Sequence, residues 1–188
     1  MKKGIDQTKV VFLDCDGVIN GMNFFKSKYR ERLRLSCGEQ GDMIDPRAVK
    51  LLGDIYAATH CKFVMSSTWR HFYFGKNKRE HYLAKPLRKL LRKYKIYIKD
   101  HTSFHYDREE YDKYCKDPEN YKITKFFERG LQIDKWLKAH REVKNFVILD
   151  DSDLDLHLFG EHFIQTSWDK GLTSEDAKKA IKILNNKK

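Results

Sequence analysis

The sequence predicts an α/β fold: a parallel sheet covered by helices on both faces. Three observations lead there. Five short apolar runs are continuous rather than alternating, the pattern of central strands buried on both sides. Four apolar stripes at helical spacing lie among them. Strands and helices alternate along the whole chain, the order of βαβ units.

The elements follow in order. Lys9–Asp14 (KVVFLD) is the first strand. Ala48, Leu51, Leu52 and Ile55 then fall at i, i+3, i+4 and i+7, with Asp45 placed to cap and Pro46 at the first helical position. Lys62–Ser66 (KFVMS) is the second strand. Leu83, Leu87, Leu90, Leu91 and Tyr94 form a second helical stripe, whose start is expected near Pro86. Lys95–Ile98 (KIYI) is the third strand. Ile133, Trp136, Leu137 and His140 make a third helix, followed by the strands Asn145–Asp150 (NFVILD) and His162–Thr166 (HFIQT). Ala177, Ala180, Ile181 and Leu184 close the chain as a helix, and Thr173-Ser174-Glu175-Asp176 before it resembles a capping box.

Composition narrows the class. The chain has 188 residues, with 38 Lys+Arg against 27 Asp+Glu and a formal net charge of +11. That length can bury a core without staples. Hydrophobic residues at 40% and aromatic residues at 13% argue against disorder. No apolar run approaches the roughly 18–20 residues of a membrane span. Met1-Lys2-Lys3-Gly4 carries the charge of a signal peptide, but Val10–Leu13 is too short for its apolar region and runs into Asp14. The expectation is a soluble protein of the cytoplasm. Cys15, Cys37, Cys61 and Cys115 form no CxxC pair and are expected to be free thiols. A surplus of positive charge suits an acidic partner.

No repeat, low-complexity tract or Pro/Gly/Ser linker divides the chain, so residues 1–188 read as one domain. Two stretches are too long for ordinary connections. Gly21–Met43 is expected to be a flap-like insert, and Thr102–Phe127 a small lid.

Ligands of a parallel sheet bind beyond the carboxyl ends of its strands. The first strand ends in Asp14-Cys15-Asp16-Gly17, the second in Ser66-Ser67-Thr68-Trp69-Arg70, and the fourth in Asp150-Asp151-Ser152-Asp153-Leu154-Asp155. Each run has an ordinary explanation as a cap or turn; what singles them out is that all three follow predicted central strands. Crowded carboxylates need a cation, and oxygen ligands without His or Cys point to a hard ion, Mg²⁺. A carboxylate beside that ion can act as nucleophile, and one two residues on can shuttle a proton. Ser66 and Ser67 with their backbone N–H groups can hold phosphate oxygens, and Arg70 can add a charge-assisted fork.

These residues resemble a known family. Val10-Val11-Phe12-Leu13-Asp14-Cys15-Asp16-Gly17-Val18 is similar to the first motif of the haloacid dehalogenase (HAD) superfamily, hhhhDxDG[TV]. Ser66 after Phe63-Val64-Met65 resembles its second motif, and Ile148-Leu149-Asp150-Asp151 its fourth in the double-aspartate form. For the third motif, a cation upstream of the fourth, Arg129 is the choice, Lys125 the rival, and Lys122 stays open. Gly17-Val18-Ile19-Asn20, Ser66–Arg70, Arg129-Gly130 with Lys135-Trp136-Leu137, and Phe163–Thr166 with Gly171-Leu172-Thr173 resemble the HAD domains of Swiss-army-knife RNA repair proteins.

The resemblance implies a three-layer Rossmannoid HAD-like fold with five parallel strands and a small cap or none. It implies a phosphohydrolase in which Asp14 attacks phosphorus and Asp16 first protonates the leaving oxygen and then activates water. Ser66 and Arg129 would hold the phosphoryl oxygens. Mg²⁺ would sit on Asp14, the Asp16 carbonyl and the fourth-motif acids, with Asp151 the better ligand and Asp150 beside it. Asp155 falls where the family often has another acid, with Asp153 as alternative. An uncapped site suits a large substrate such as a polynucleotide end or a protein, rather than a small metabolite.

Lys76–Lys99 holds ten Lys/Arg (76, 78, 79, 85, 88, 89, 92, 93, 95, 99) against the single acid Glu80. Phe72, Tyr73, Phe74, Tyr82, Tyr94 and Tyr97 interleave or adjoin them, a mixture suited to nucleic acid. The expected function is thus a Mg²⁺-dependent phosphohydrolase acting on a nucleic-acid-end or nucleotide phosphate. The alternatives are a catalytically quiet HAD-like module that binds RNA or protein, and a phosphoprotein phosphatase.

Overall fold

Val10-Val11-Phe12-Leu13 has no polar face to offer solvent, and it becomes the middle of the sheet. In this computed structural model, which describes residues 4–37, 42–75 and 82–186, all five strands are parallel. They are β1 (Asp6–Leu13), β2 (Cys61–Met65), β3 (Asp100–His101), β4 (Asn145–Asp150) and β5 (Phe163–Gln165), in the order β3-β2-β1-β4-β5. The architecture is the α/β class expected.

Alternate residues of β1 serve opposite layers, because side chains of a strand alternate in direction. Val11 and Leu13 join one core with α3 (Pro46–Thr59), α5 (Ala84–Lys93) and α8 (Ser174–Asn185). Val10 and Phe12 join the other with Ile133 and Trp136 of α7 (Arg129–Ala139). Phe12 packs edge-on to Trp136, centroids 5.2 Å apart. Burying such a ring contributes about 2 kcal/mol.

Helix starts follow local chemistry. Asp45 accepts from the Arg47 N–H at 2.9 Å, with Pro46 in the first turn of α3. Thr173 and Asp176 form a reciprocal capping box on α8. α5 begins at Ala84 rather than Pro86, since a first-turn proline gives up no hydrogen bond.

The third strand needs correction. Lys95–Ile98 does not pair; the ladder to β2 consists of Val64–Asp100 and Met65–His101. The Ile96 N–H is spent on Leu91 O at the end of α5, and Lys95 turns through φ 61°. Ile96 and Ile98 are still buried, so the apolar run reported burial rather than pairing.

The insert after β1 carries α1 (Met22–Phe25) and α2 (Lys28–Cys37). Met22 and Asn23 N–H groups donate to Trp168 O and Asp169 O, tying α1 to the turn after β5. The stretch after β3 carries α6 (Arg108–Lys116). Between β2 and α5 lies the short α4 (Arg70–Phe74), and a 3-10 helix (Leu156–His162) precedes β5. Cys15 and Cys61 are buried free thiols and Cys115 an exposed one. Among the described residues no helix is long and apolar enough to cross a membrane.

Candidate active site

Sheet order decides which residues meet. β2, β1 and β4 are neighbours, so the residues beyond their carboxyl ends share one crevice. Pairing continues one step past each strand. The Asp14 N–H donates to Leu149 O (3.0 Å), the Ser66 N–H to Leu13 O (3.0 Å), and the Thr166 N–H to Asp150 O (2.9 Å). The chain then turns at Gly17, whose φ is +67°. A Cβ there would lie 2.4 Å from Asp151 Cγ, so glycine lets the Asp151 carboxylate stand against the turn.

Asp14 is 4% exposed and Asp150 0%. Two buried carboxylates side by side are costly without a cation. Arg129, at the head of α7, supplies it: its Nη1 donates to Asp14 Oδ1 and, at 2.5 Å, to Asp150 Oδ2. Asp150 Oδ1 accepts the Ser152 N–H at 3.0 Å. Burial pushes both carboxyls above the usual carboxylate range, against the pull of the Arg129 charge. Burial pulls the Arg129 guanidinium down, but Asp14 and Asp150 outweigh it and hold the group protonated.

Asp16 is directed differently. Its Oδ2 accepts from the Trp69 indole N–H at 2.8 Å and its Oδ1 from Asn20 Nδ2 at 3.0 Å. Ser66 is fully buried, and its hydroxyl has no hydrogen-bond partner among the described residues. Ser67 Oγ accepts the Trp69 N–H at 3.2 Å and so shapes the turn into α4.

The other expected phosphate ligands are placed elsewhere. Arg70 is buried and gives its guanidinium to Ser66 O, to Ser67 O (3.0 Å) and to Gln132 Oε1 (2.8 Å), bracing the turn from inside. Burial lowers its pKa to about 10. Lys125 pairs with Glu110 (3.2 Å) and Asp107 (3.6 Å) near α6. Lys122 is exposed. Of the three rivals for the third-motif cation, Arg129 is the one that reaches Asp14 and Asp150.

Asp155 has a use that its sequence position does not announce. Wholly buried, it accepts the N–H groups of Phe127 and Glu128 on Oδ2 and of Gly130 on Oδ1, all at 2.8 Å. A Cβ on Gly130 would lie 2.9 Å from Asp155 Cγ. Asp155 therefore pins the start of α7 on both sides of Arg129, while Asp153 is exposed. Trp69 and Asn20 hold Asp16 from positions that carry no signal for it in the sequence. Nothing in the run Ser66–Arg70 tells that the indole N–H crosses to β1.

The donor set fits a hard divalent cation. Asp14, Asp150 and Asp151 each offer a carboxylate oxygen, and these lie within 4.8 Å of one another. The Asp16 carboxylate is not in that group.

The basic stretch lies at the β3 edge. Lys85, Arg88, Lys89, Arg92 and Lys93 belong to α5, and Lys95 and Lys99 follow it; Lys76, Lys78 and Arg79 lie outside the described residues.

The sequence model of one family, described as HAD domain in Swiss Army Knife RNA repair proteins, matches residues 10–177. No curated protein and no solved structure matches the chain.

Proposed function

Because the chain belongs to the HAD domain family of Swiss Army Knife RNA repair proteins, we propose that it hydrolyses phosphomonoesters through an aspartyl-phosphate on Asp14. The observation that carries this reading is the buried Asp14–Arg129–Asp150 bridge, with Ser66 at the end of the adjacent strand and its hydroxyl without a hydrogen-bond partner among the described residues.

Arg129 engages Asp14 Oδ1, which leaves Oδ2 as the attacking atom. The Asp14 Oδ2–phosphorus bond forms as the ester oxygen–phosphorus bond breaks, and Asp16 gives its proton to the departing oxygen. Asp16 then takes a proton from water, whose oxygen bonds to phosphorus and releases Asp14. The products are an alcohol and inorganic phosphate. The Ser66 hydroxyl and the Arg129 guanidinium bind phosphoryl oxygens, where negative charge gathers in the transition state. Mg²⁺ on Asp14, Asp150 and Asp151 would supply charge neutralisation to the carboxylates and the phosphoryl group. Trp69 and Asn20 fix the direction of Asp16.

The substrate class is a nucleic-acid-end or nucleotide phosphate. The net charge of +11 and the modest inserts, α1 with α2 and α6, support an anionic substrate too large for a closed pocket. The test measures phosphate release with Mg²⁺ from an aryl phosphate, a 3′-phosphorylated oligonucleotide, a nucleoside monophosphate and a phosphopeptide. Release from the oligonucleotide or the nucleotide is expected. Preference for the phosphopeptide would make the protein a phosphoprotein phosphatase, and no release from any of them would make it a binding module.

A further inference from the structure

α5 carries two stripes at helical period. Ala84, Leu87 and Leu91 are buried in the core. Lys85, Arg88, Lys89, Arg92 and Lys93 fall at i, i+3, i+4, i+7 and i+8 and line an open groove of about 1180 Å³ together with Lys99, Tyr73 and Phe74. Among the described residues no carboxylate lies within salt-bridge distance of Lys89, Arg92, Lys93 or Lys99. Lys89, Arg92 and Lys93 lie on adjacent turns of one helix face, and like charges so placed repel one another, a cost that a polyanion along the groove would offset.

The groove is joined to the catalytic crevice. α5 connects two parallel strands, so it runs back against them; Lys85 is at the crevice end and Lys93 at the far end. Phe74, in the groove wall, lies 4.6 Å from the His101 ring, and His101 lies 6.5 Å from Phe104. Phe104 is held between Arg70, which holds Ser66 O and lies 3.9 Å from the ring centre, and His71, stacked on it at 3.7 Å, so exposed His71 is the outer ring of this stack. A row of rings thus leads from the Ser66 turn to the cations.

We propose that the α5 stripe, Lys99 and this ring row form a track for single-stranded nucleic acid whose terminal phosphate reaches Asp14. Unpaired bases stack on rings while cations follow the backbone, the combination that single strands need and duplexes cannot use. An anionic bilayer is disfavoured because the apolar face of α5 is already buried and has nothing to insert. The end-phosphate part of the proposal rests on the phosphohydrolase reading; the track itself does not.

The test is fluorescence anisotropy with a labelled single strand of about 12 nucleotides, within the usual site sizes of single-strand grooves. If Lys89, Arg92, Lys93 and Lys99 neutralise backbone phosphates, affinity falls about 50-fold between about 50 and 200 mM salt, and only about 3-fold in the triple variant Lys89→Ala/Arg92→Ala/Lys93→Ala. Circular dichroism checks that the variant is folded, and the charge-keeping pair Lys89→Arg/Lys93→Arg is expected to retain the wild-type salt slope. Unchanged affinity and slope in the triple variant overturns the track. Equal binding of polyglutamate or of anionic phospholipid vesicles overturns it as well. If the protein binds the strand but releases no phosphate from any ester, the hydrolase reading falls and the track stands.

Discussion

The indole N–H of Trp69 donates to Asp16 Oδ2 across 2.8 Å, linking the turn after β2 to the turn after β1. Asn20 holds the other oxygen, so both ends of this carboxylate are directed. A proton donor fixed in this way matters most when the leaving group is a poor one. Trp69→Phe keeps the ring and removes the donor. Loss of one such hydrogen bond, about 1 kcal/mol, predicts a kcat fall of roughly 5-fold on an alkyl phosphate. The fall on an aryl phosphate is expected to be smaller, with KM steady on both. Equal losses on both esters would reduce Trp69 to a packing residue.

Arg129 and Lys125 are separated by their partners. Arg129→Ala leaves Asp14 and Asp150 buried without their cation. Breaking such a bridge costs about 3–5 kcal/mol, and phosphatase activity should be lost with it. Among the described residues Lys125 pairs with Glu110 and Asp107 and not with Asp14 or Asp150, so Lys125→Ala should leave hydrolysis within about twofold. Thermal melts with steady-state kinetics on both variants decide between the two cations.

Asp155→Asn keeps the shape but gives up one carboxylate oxygen that caps α7. About 2 kcal/mol of stability should go, a fall of about 4–8 °C in Tm for a chain of this size. Because Arg129 sits between the capped residues, kcat should drop while the variant is fully folded. Reduced Tm with unchanged kcat would confine Asp155 to a structural role.

Glu110 anchors α6 to the segment after it. It accepts from Lys113 at 2.8 Å and from the Tyr121 hydroxyl, and these bonds hold its carboxyl down to about 2 from the usual 4.5. A depressed folded pKa stabilises above the unfolded value, and that contribution is lost as pH falls from 4.5 towards 2. Tm measured between about pH 5 and pH 3 should therefore fall more steeply for the wild type than for Glu110→Gln. Parallel curves would remove Glu110 as an acid-sensitive tie.

Much of this was legible in the residues. The runs through Val10–Leu13 and Asn145–Asp150 are apolar enough to declare central strands, and the acids after them mark a crevice because sheet neighbours must present their ends together. Lys95–Ile98 misled because burial and pairing look alike in a short apolar run. Arg70 misled for a similar reason: its charge suggested a ligand, but the turn after β2 leaves carbonyls that the guanidinium itself satisfies. The Asp155 cap and the Trp69 bond join residues far apart in the chain, which no spacing rule reaches. The positive charge met first as a bare total resolves into the α5 stripe, which helical spacing alone could have revealed.

The central claim is that Asp14 is the nucleophile of a phosphomonoester hydrolase. The most direct measurement is the rate of aryl phosphate hydrolysis with Mg²⁺ for the wild type and for Asp14→Asn, both confirmed folded. Removal of a nucleophile predicts a loss of at least about 10³-fold in kcat. Equal rates for the two proteins would contradict the account.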